Sequence, residues 1–193
     1  MLKEIEMSNA NLLKHHFLMS MPSLESDYFS NSLIYLCEHN EEGAMGIVVN
    51  KPHDIPMDEI LDQLELPENS PLNYQPVYQG GPVSEEHGFI LHRQGEQAWK
   101  SSLHLPEQLT LTTSLDVLEA ISRGEGPEHY LFALGYAGWG PGQLDEEMSQ
   151  NLWLSSPANL DILFDVEPEL RLSSAASTLG VDLNLISAQA GHA

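Results

Sequence analysis

Cys37 and His39 are the two residues whose types and spacing come closest to a catalytic pair in this sequence. Side chains two positions apart on an extended strand point to the same face, so the thiol and the imidazole are predicted to be neighbours. Such a thiol could serve as a nucleophile or a redox sensor. In the alternative interpretation Cys37 is a small buried hydrophobic residue, and His39 simply begins the next turn. The apolar residues before Cys37 favour this second interpretation.

A glycine-rich turn at Gly80, Gly81 and Pro82 is a candidate binding loop. Successive backbone N–H groups in such a turn can form a nest for a carboxylate or another small anion, although tight turning alone also requires glycine. Lys51 and Arg93 are candidate counter-ions for a small acidic ligand, because cations are rare in this chain.

A second candidate loop contains Gly138, Trp139, Gly140 and Gly142 and joins a predicted strand to a predicted helix. Phosphates often bind at such junctions, but neither dinucleotide-binding nor P-loop spacing is present. The acids at 145–147 also place fixed negative charge at the start of the helix, where an anion would be repelled. The glycines are therefore interpreted as structural, and a pocket for a polar substrate beside Trp139 is the alternative.

Histidine and cysteine spacing predicts no metal site, and no cofactor is expected. The nine histidines form neither an H-E-x-x-H motif nor a Cys/His zinc pattern.

The charge balance disfavours two classes of partner, nucleic acids and anionic membranes. The chain has 7 Lys and Arg against 29 Asp and Glu, a formal net charge of −22, and positions 52–92 and 124–170 contain no Lys or Arg. Nucleic-acid binding requires clustered cations that displace phosphate counterions, and anionic membranes attract the same residues. Direct binding to either is therefore disfavoured. The acidity is explained first by solubility, with a basic protein partner or a divalent cation as the sharper alternative.

The length of 193 residues and the 41% hydrophobic content predict one folded domain over 1–193, with residues 1–10 frayed. No apolar stretch approaches the roughly 20 residues of a membrane span, and the first residues lack the features of a secretory signal. The single cysteine excludes an intramolecular disulfide framework and is typical of a reducing compartment. A cytoplasmic location is expected.

Local patterns predict short strands mixed with isolated helices. The clearest is a hairpin, in which a strand at 33–37 turns through 40–43 into the apolar run at 44–49. Further strands are predicted at 12–19, 77–78, 88–92, 109–113, 130–136, 152–154 and 162–164. The strand at 130–136 is strongly apolar and predicted to be central. Without regular βαβ alternation, the order indicates an α+β fold.

Four helices are predicted. Pro56 and Ser114 are placed at helix starts, with apolar stripes at Ile60, Leu61 and Leu64 and at Leu115, Leu118 and Ile121. An acidic helix follows at 143–150. Pro168 opens the last helix, whose core positions are predicted to be Leu172, Ala175, Ala176 and Leu179.

Several motifs in fixed order resemble the YqgE/AlgH family of small bacterial proteins. They are YLCEH at 35–39, GAMGIVVNKP at 43–52, QGGPV at 79–83, LH at 91–92, GYAGWGPGQLDEE at 135–147, NLWL at 151–154 and AGHA at 190–193. The similarity extends from about residue 10 to the end of the chain. Leu172 is a departure, since a tryptophan is expected there in many relatives.

The resemblance implies an α+β domain with a mixed, largely antiparallel and partly barrel-like sheet flanked by helices. It implies no reaction, because most members of the family are uncharacterised. One member is linked to the control of alginate synthesis and was called a transcriptional regulator for that reason. The acidity of this chain implies that any such role is indirect, through a protein or a small molecule. We therefore expect a non-catalytic binding or regulatory protein whose cleft lies between the two glycine-rich loops, with Trp139 as its wall, and an enzyme using Cys37 and His39 as the alternative.

Overall fold

A computed structural model describes residues 13–67 and 75–190 of the chain. The strands are β1 (His16–Ser20), β2 (Leu33–Asn40), β3 (Gly43–Val48), β4 (Val77–Gln79), β5 (Val83–Arg93), β6 (Ser102–Leu105), β7 (Leu109–Thr112), β8 (Tyr130–Trp139) and β9 (Trp153–Pro157). The helices are α1 (Met57–Gln63), α2 (Leu115–Ser122), α3 (Gln143–Ser149), α4 (Leu160–Asp165), α5 (Pro168–Thr178) and α6 (Leu183–Ala190), with a 3₁₀ turn at Pro106–Gln108. The predicted tail at 1–10 lies outside the described residues.

The strands of the described part form one sheet in the order β6-β7-β5-β8-β3-β2-β1-β9, and β4 joins it by pairing with β8. All neighbours are antiparallel except β4 and β8, which run parallel. The sheet curls into a half-barrel, so the expected mixed, largely antiparallel α+β fold is confirmed.

Strand β8 is central, as its apolar sequence predicts. It pairs with β5 along one edge, while its other edge pairs first with β4 and then with β3. Both edges of the strand are therefore covered and most of its residues are buried, which is the environment expected for an apolar central strand.

The predicted hairpin is confirmed as β2 and β3, whose register runs from Ile34 opposite Val48 to Asn40 opposite Gly43. The register shifts between Leu36 and Glu38, which marks a β-bulge. A bulge places one extra residue on its strand and interrupts the simple alternation of faces.

The helices cover three apolar clusters. One cluster contains alternate residues of β1 and β2, including Phe17 and Tyr35, and packs against α4 and α5. A second lies under α1 and α2. The third lies on the opposite face of β1 and β2, where Leu18, Ile34 and Leu36 meet Leu144 of α3. No helix in the described ranges is both long and apolar enough to cross a membrane.

Two local predictions are wrong, and one strand was not predicted. Residues 162–164 belong to helix α4 rather than to a strand, because the Asn159 side chain accepts hydrogen bonds from the N–H groups of Asp161 and Ile162 and caps a helix there. Strand β6 was not predicted, since its place depends on pairing with β7. The helix beginning at Pro168 is also not the last, because α6 follows it.

The buried face of α5 differs from the predicted one. Ala175 and Ala176 are buried as expected, but Leu172 is half-buried and Leu179 is 42% exposed. Arg171 is buried instead, because its guanidinium finds carbonyl partners on the sheet and before the helix. A buried charge of this kind is stable when its N–H groups are hydrogen-bonded.

Candidate functional site

The thiol of Cys37 lies in the core and not at a surface site. Its residue has no exposed area, and it joins the cluster that contains Phe17 and Tyr35. Burial, with a smaller contribution from Glu38, raises the pKa of the thiol far above its ordinary value. The neutral thiol is a poor nucleophile, so the environment of Cys37 is that of a packing residue.

His39 does not share that environment. Its Nε2 lies 3.3 Å from Oδ1 of Asp145 in helix α3, which packs on the opposite face of the sheet from Cys37. The expectation that Cys37 and His39 face the same way is therefore wrong, and the bulge between Leu36 and Glu38 is the physical reason. The structure does not assemble the thiol–imidazole pair.

We expect Cys37 to resist alkylation in the folded protein. Iodoacetamide should label the thiol at least about a hundredfold more slowly in native buffer than in denaturant, since neutral buried thiols react through unfolding. Mass spectrometry of timed samples measures both rates, and Cys37→Ser supplies the blank. Labelling of the native protein at the rate of the unfolded chain would contradict the buried position.

The turn at Gly80, Gly81 and Pro82 has its backbone groups occupied by the protein itself. Gly80 N–H donates to the carbonyl of Leu134 at 2.8 Å, and the Gly80 carbonyl accepts from Val48 N–H at 2.8 Å. The backbone of Gly81 is hydrogen-bonded to the Tyr28 hydroxyl. These bonds fasten β3 and β4 to β8, and they use the N–H groups that an anion nest would require.

Lys51 also contacts Tyr28 rather than an open loop. Its Nζ donates to the Tyr28 carbonyl and lies 5.8 Å from the centre of the Tyr28 ring. Burial lowers the pKa of the Lys51 ammonium and raises the pKa of the Tyr28 hydroxyl, the latter with help from Glu85 and against the hydrogen bond from Gly81. Tyr28 thus organises this region. Its sequence signal is the pair of adjacent aromatic residues, Tyr28 and Phe29, in the loop between β1 and β2.

Trp139 is 7% exposed and belongs to the core cluster around α3. Its Nε1 donates to Oε2 of Glu147 at 2.9 Å, and the Nε1 of Trp153 donates to the same oxygen at 2.8 Å. The two indoles meet edge to face with centroids 6.0 Å apart. The expected role of Trp139 as the wall of an open cleft is therefore replaced by a core position, and Glu147 is the residue that anchors it.

The glycines around Trp139 shape the start of α3. Gly140 N–H donates to Oε1 of Gln143 at 3.0 Å. Gly142 has a φ of 72°, a left-handed conformation that glycine adopts at little cost. Gly138 is exposed on β8 opposite Met45. These positions match the structural interpretation of the loop, and ligand binding there stays a prediction.

Arg93 lies away from both glycine-rich turns. Its guanidinium stacks 5.4 Å from the ring centre of Phe164 in α4, and its Nη2 is 3.7 Å from Oδ1 of Asp161. The structure thus separates the predicted binding residues into three places: the Gly80 turn with Lys51, the start of α3 with Trp139, and the end of β5 with Arg93.

An apolar cavity that the sequence did not single out lies between α1 and α2. Its volume is about 440 Å³, within the usual range for ligand sites. Its apolar lining comes from both helices and from the sheet beneath them: Ile55, Ile60, Leu64, Ile90, Leu115, Leu118, Phe132 and Leu134. Leu64 and Leu115 are 41% and 45% exposed. The sequence signal for this cavity is the pair of apolar stripes. Each stripe contains one leucine, Leu64 or Leu115, that the core does not bury.

The surroundings of this cavity are acidic. Glu85 and Glu86 line it and are exposed, and Glu86 lies 3.0 Å from Nδ1 of the lining residue His87. The outer face of α1 adds Asp58, Glu59 and Asp62. The lining residues of the described part include no Lys or Arg. A cation is therefore attracted to the rim of this cavity, and an anion is repelled.

A metal centre is not formed by the side chains of residues 13–67 and 75–186, where no group of three His, Cys, Asp or Glu side chains is arranged to hold an ion.

Comparison with known proteins gives a consistent family. A family model described as AlgH-like matches residues 17–184. A UPF0301 protein of Chromohalobacter salexigens is 49% identical over 181 residues, which cover 93% of this chain and 98% of that protein. The UPF0301 protein AlgH of Pseudomonas aeruginosa is 49% identical over 191 residues, covering 98% of this chain and 100% of the relative.

Solved structures agree with the fold. The solution structure of the Pseudomonas aeruginosa AlgH protein superposes with a TM-score of 0.75 at 48% identity, covering 94% of this chain and 96% of that one. A crystal structure of a Corynebacterium diphtheriae protein gives a TM-score of 0.70 at 20% identity and covers 91% of each chain, which is a likeness of fold alone.

Proposed function

This chain belongs to the AlgH-like family, and we propose that it is a non-catalytic regulatory protein that acts by binding a segment of another protein. The binding site is the cavity between α1 and α2. Its partner is an amphipathic helical segment with leucine-like residues on one face and Lys or Arg on the other. We also propose that it acts in the cytoplasm, because its single cysteine is unpaired and buried.

The observation that carries the proposal is the exposed apolar rim. Leu64, the residue after α1, and Leu115, the first residue of α2, are both exposed and line one cavity with the buried side chains of Ile90 and Phe132. Exposed apolar side chains grouped around a cavity are typical of protein-interaction sites. An apolar helix face laid across two helices is also a common mode of peptide recognition.

Charge complementarity indicates that the bound peptide segment is basic. Glu85, Glu86 and the acids of α1 surround the apolar surface, and the chain between positions 52 and 92 contains no Lys or Arg to offset them. A segment with Lys or Arg beside its apolar residues gains apolar contacts with the cavity and ion pairs with the acids around it, whereas an acidic segment is repelled. The same field disfavours nucleic acid as a partner.

The polar groups of the cavity support binding rather than chemistry. The hydroxyl of Ser114 donates to Asp116 and accepts from Ser101 N–H at 3.1 Å, so it serves the start of α2. His87 is exposed and pairs with its neighbour Glu86. The Asp116 carboxylate also accepts hydrogen bonds from the N–H groups of Lys100 and Val117. Although burial raises the pKa of Asp116, these hydrogen bonds hold it below its ordinary value, so the carboxylate is a weak base for activating the Ser114 hydroxyl.

Binding can be tested with a short fluorescent helical peptide that carries leucines on one face and lysines on the other. We expect fluorescence anisotropy to show saturable binding, about tenfold weaker for Leu64→Ser with Leu115→Ser, because two apolar contacts are lost. The same peptide with glutamate for every lysine should bind at least about tenfold more weakly. Leu170→Ser with Leu185→Ser is the matched control, since both leucines are exposed outside the cavity lining.

Equal affinity of the Leu64 and Leu115 variant for the lysine peptide would overturn the assignment of this site. Equal affinity for the two peptides would overturn the assignment of a basic partner. Circular dichroism of each variant shows that a lost interaction does not come from unfolding.

A further inference from the structure

A second cavity has a volume of about 670 Å³ and shares no lining residue with the cavity between α1 and α2. It is bordered by the end of β5, the 3₁₀ turn, the end of β9 and the helices α4 and α5. Its polar lining contains Arg93, Glu107, Ser156, Asn159, Asp161 and Thr178. The side chains of Asn159 and Thr178 are engaged by the helices they belong to, so Arg93, Glu107, Ser156 and Asp161 remain.

Arg93 is held in place with its donors available. Its guanidinium stacks on Phe164, which fixes its orientation. The closest carboxylate oxygen, Oδ1 of Asp161, is 3.7 Å from Nη2, which is longer than a hydrogen bond. The guanidinium makes no hydrogen bond among the described residues. An oriented guanidinium with free N–H groups is suited to a carboxylate.

Ser156 supplies a second polar group without a partner. The residue is 2% exposed, and its Oγ has no hydrogen-bond partner among the described residues. It lies opposite Phe17 in the pairing of β1 with β9, and Phe17 lies opposite Tyr35. The register therefore directs Ser156 to the same face as those residues, beneath the cavity it lines. Buried hydroxyls are normally hydrogen-bonded, so this one indicates a missing polar partner.

Glu107 is positioned by a chain of hydrogen bonds from the core. Its Oε2 lies 3.2 Å from Nε2 of His15, and Nδ1 of His15 lies 2.7 Å from the Tyr35 hydroxyl. His15, Glu107 and Gln108 all have positive φ, at 60°, 57° and 59°. Non-glycine residues in this conformation carry strain, and they cluster at sites where the backbone must present a particular group.

The lining thus offers one cation and two carboxylates around an unpaired hydroxyl. A simple anion would be repelled by the carboxylates of Glu107 and Asp161, and a simple cation would be repelled by the Arg93 guanidinium. A molecule with both charges a short distance apart satisfies all of these groups.

We propose that this cavity binds a small zwitterion of the α-amino acid class. Its carboxylate is held by the Arg93 guanidinium and the Ser156 hydroxyl, and its ammonium group by Glu107 and Asp161. This site is separate from the peptide-binding cavity, and the inference does not rest on the proposed function.

The test is isothermal titration calorimetry of the full chain with the individual proteinogenic amino acids. We expect at least one to bind with a Kd below about 1 mM. Its N-acetyl and its C-terminal amide derivatives should each bind at least about tenfold more weakly, because each loses one charge. Failure of the whole set at about 5 mM would overturn the proposal, as would equal binding of the N-acetyl derivative.

Substitutions test the role proposed for each polar group of the cavity. Arg93→Gln and Glu107→Gln should each weaken the bound amino acid at least about tenfold, whereas Arg123→Gln, at an exposed arginine after α2, should leave its affinity unchanged. Ser156→Ala should weaken binding without lowering the Tm of the free protein, because the hydroxyl has no partner in the described residues. A Ser156→Ala variant that loses Tm and keeps its affinity would show a structural role and contradict the site, and so would full affinity in Arg93→Gln.

Discussion

Gly81→Ala is expected to lose at least about 4 kcal/mol of folding free energy, a large part of the stability of a domain of this size. A Cβ atom at Gly81 would lie 1.9 Å from the carbonyl carbon and 2.1 Å from the carbonyl oxygen of Tyr136. Those atoms belong to the backbone of β8, which is paired on both sides. They therefore have no room to move away, and the turn must separate from the central strand. Urea unfolding followed by tryptophan fluorescence measures the loss.

Two other glycines provide controls for the same substitution. A Cβ at Gly95 meets no described atom within 4 Å, and one at Gly138 lies at an ordinary contact distance of 3.4 Å from the Tyr136 ring. Alanine at either position should change the unfolding free energy by less than about 1 kcal/mol. If Gly81→Ala unfolds at the same urea concentration as these controls, the close approach of the two backbones is refuted.

Arg171→Ala is expected to lose about 3–5 kcal/mol of folding free energy. The side chain is 4% exposed, and its Nε and Nη1 donate to the carbonyls of Val166 and Val49 at 2.8 and 2.7 Å. Its guanidinium also lies 5.2 Å from the ring centre of Tyr78. Alanine removes the hydrogen-bond donors of the buried Val49 carbonyl and the half-buried Val166 carbonyl and opens a cavity between α5 and the end of β3, and both effects destabilise the fold.

Arg171→Lys and Arg171→Met separate charge from volume. Lysine keeps the charge but lacks the planar fork that reaches two carbonyls, and methionine fills the space without the buried charge. Both should be more stable than Arg171→Ala. Arg123→Ala, at an exposed arginine, should change the unfolding free energy by less than about 0.5 kcal/mol. An Arg171→Ala variant as stable as Arg123→Ala would contradict the buried position of the guanidinium.

The cavity between α1 and α2 shows which features local sequence patterns can predict and which they cannot. The apolar stripes that include Leu64 and Leu115 were predicted to lie in the core. Both helices begin where Pro56 and Ser114 predict. The exposure of those two leucines depends on how α1 and α2 sit relative to each other over the sheet, which no local pattern encodes. The apolar cavity and its acidic surroundings were therefore not predicted, although the apolar stripes of the two helices that border it were.

Cys37 and His39 illustrate the same limit on a smaller scale. Period-two alternation is a property of a regular strand, and it fails at the bulge between Leu36 and Glu38. That bulge arises from the register between β2 and β3, so the pair was separated by strand pairing and not by a local residue. The burial of Arg171 has no local signal for a related reason, because one of its carbonyl partners, that of Val49, is distant in the sequence.

Local patterns and composition are sufficient to predict the hairpin of β2 and β3, the central place of β8, the starts of α1, α2 and α5, and the acidic character that disfavours polyanions. These features follow from turn residues, prolines, apolar runs and charge counts, whose effects act over a few residues or over the whole chain. The tertiary structure alone decided which leucines stay exposed, which face Cys37 and His39 take, and which acids surround Arg93. Those outcomes depend on contacts between residues far apart in the chain, where register and packing set the distance between groups.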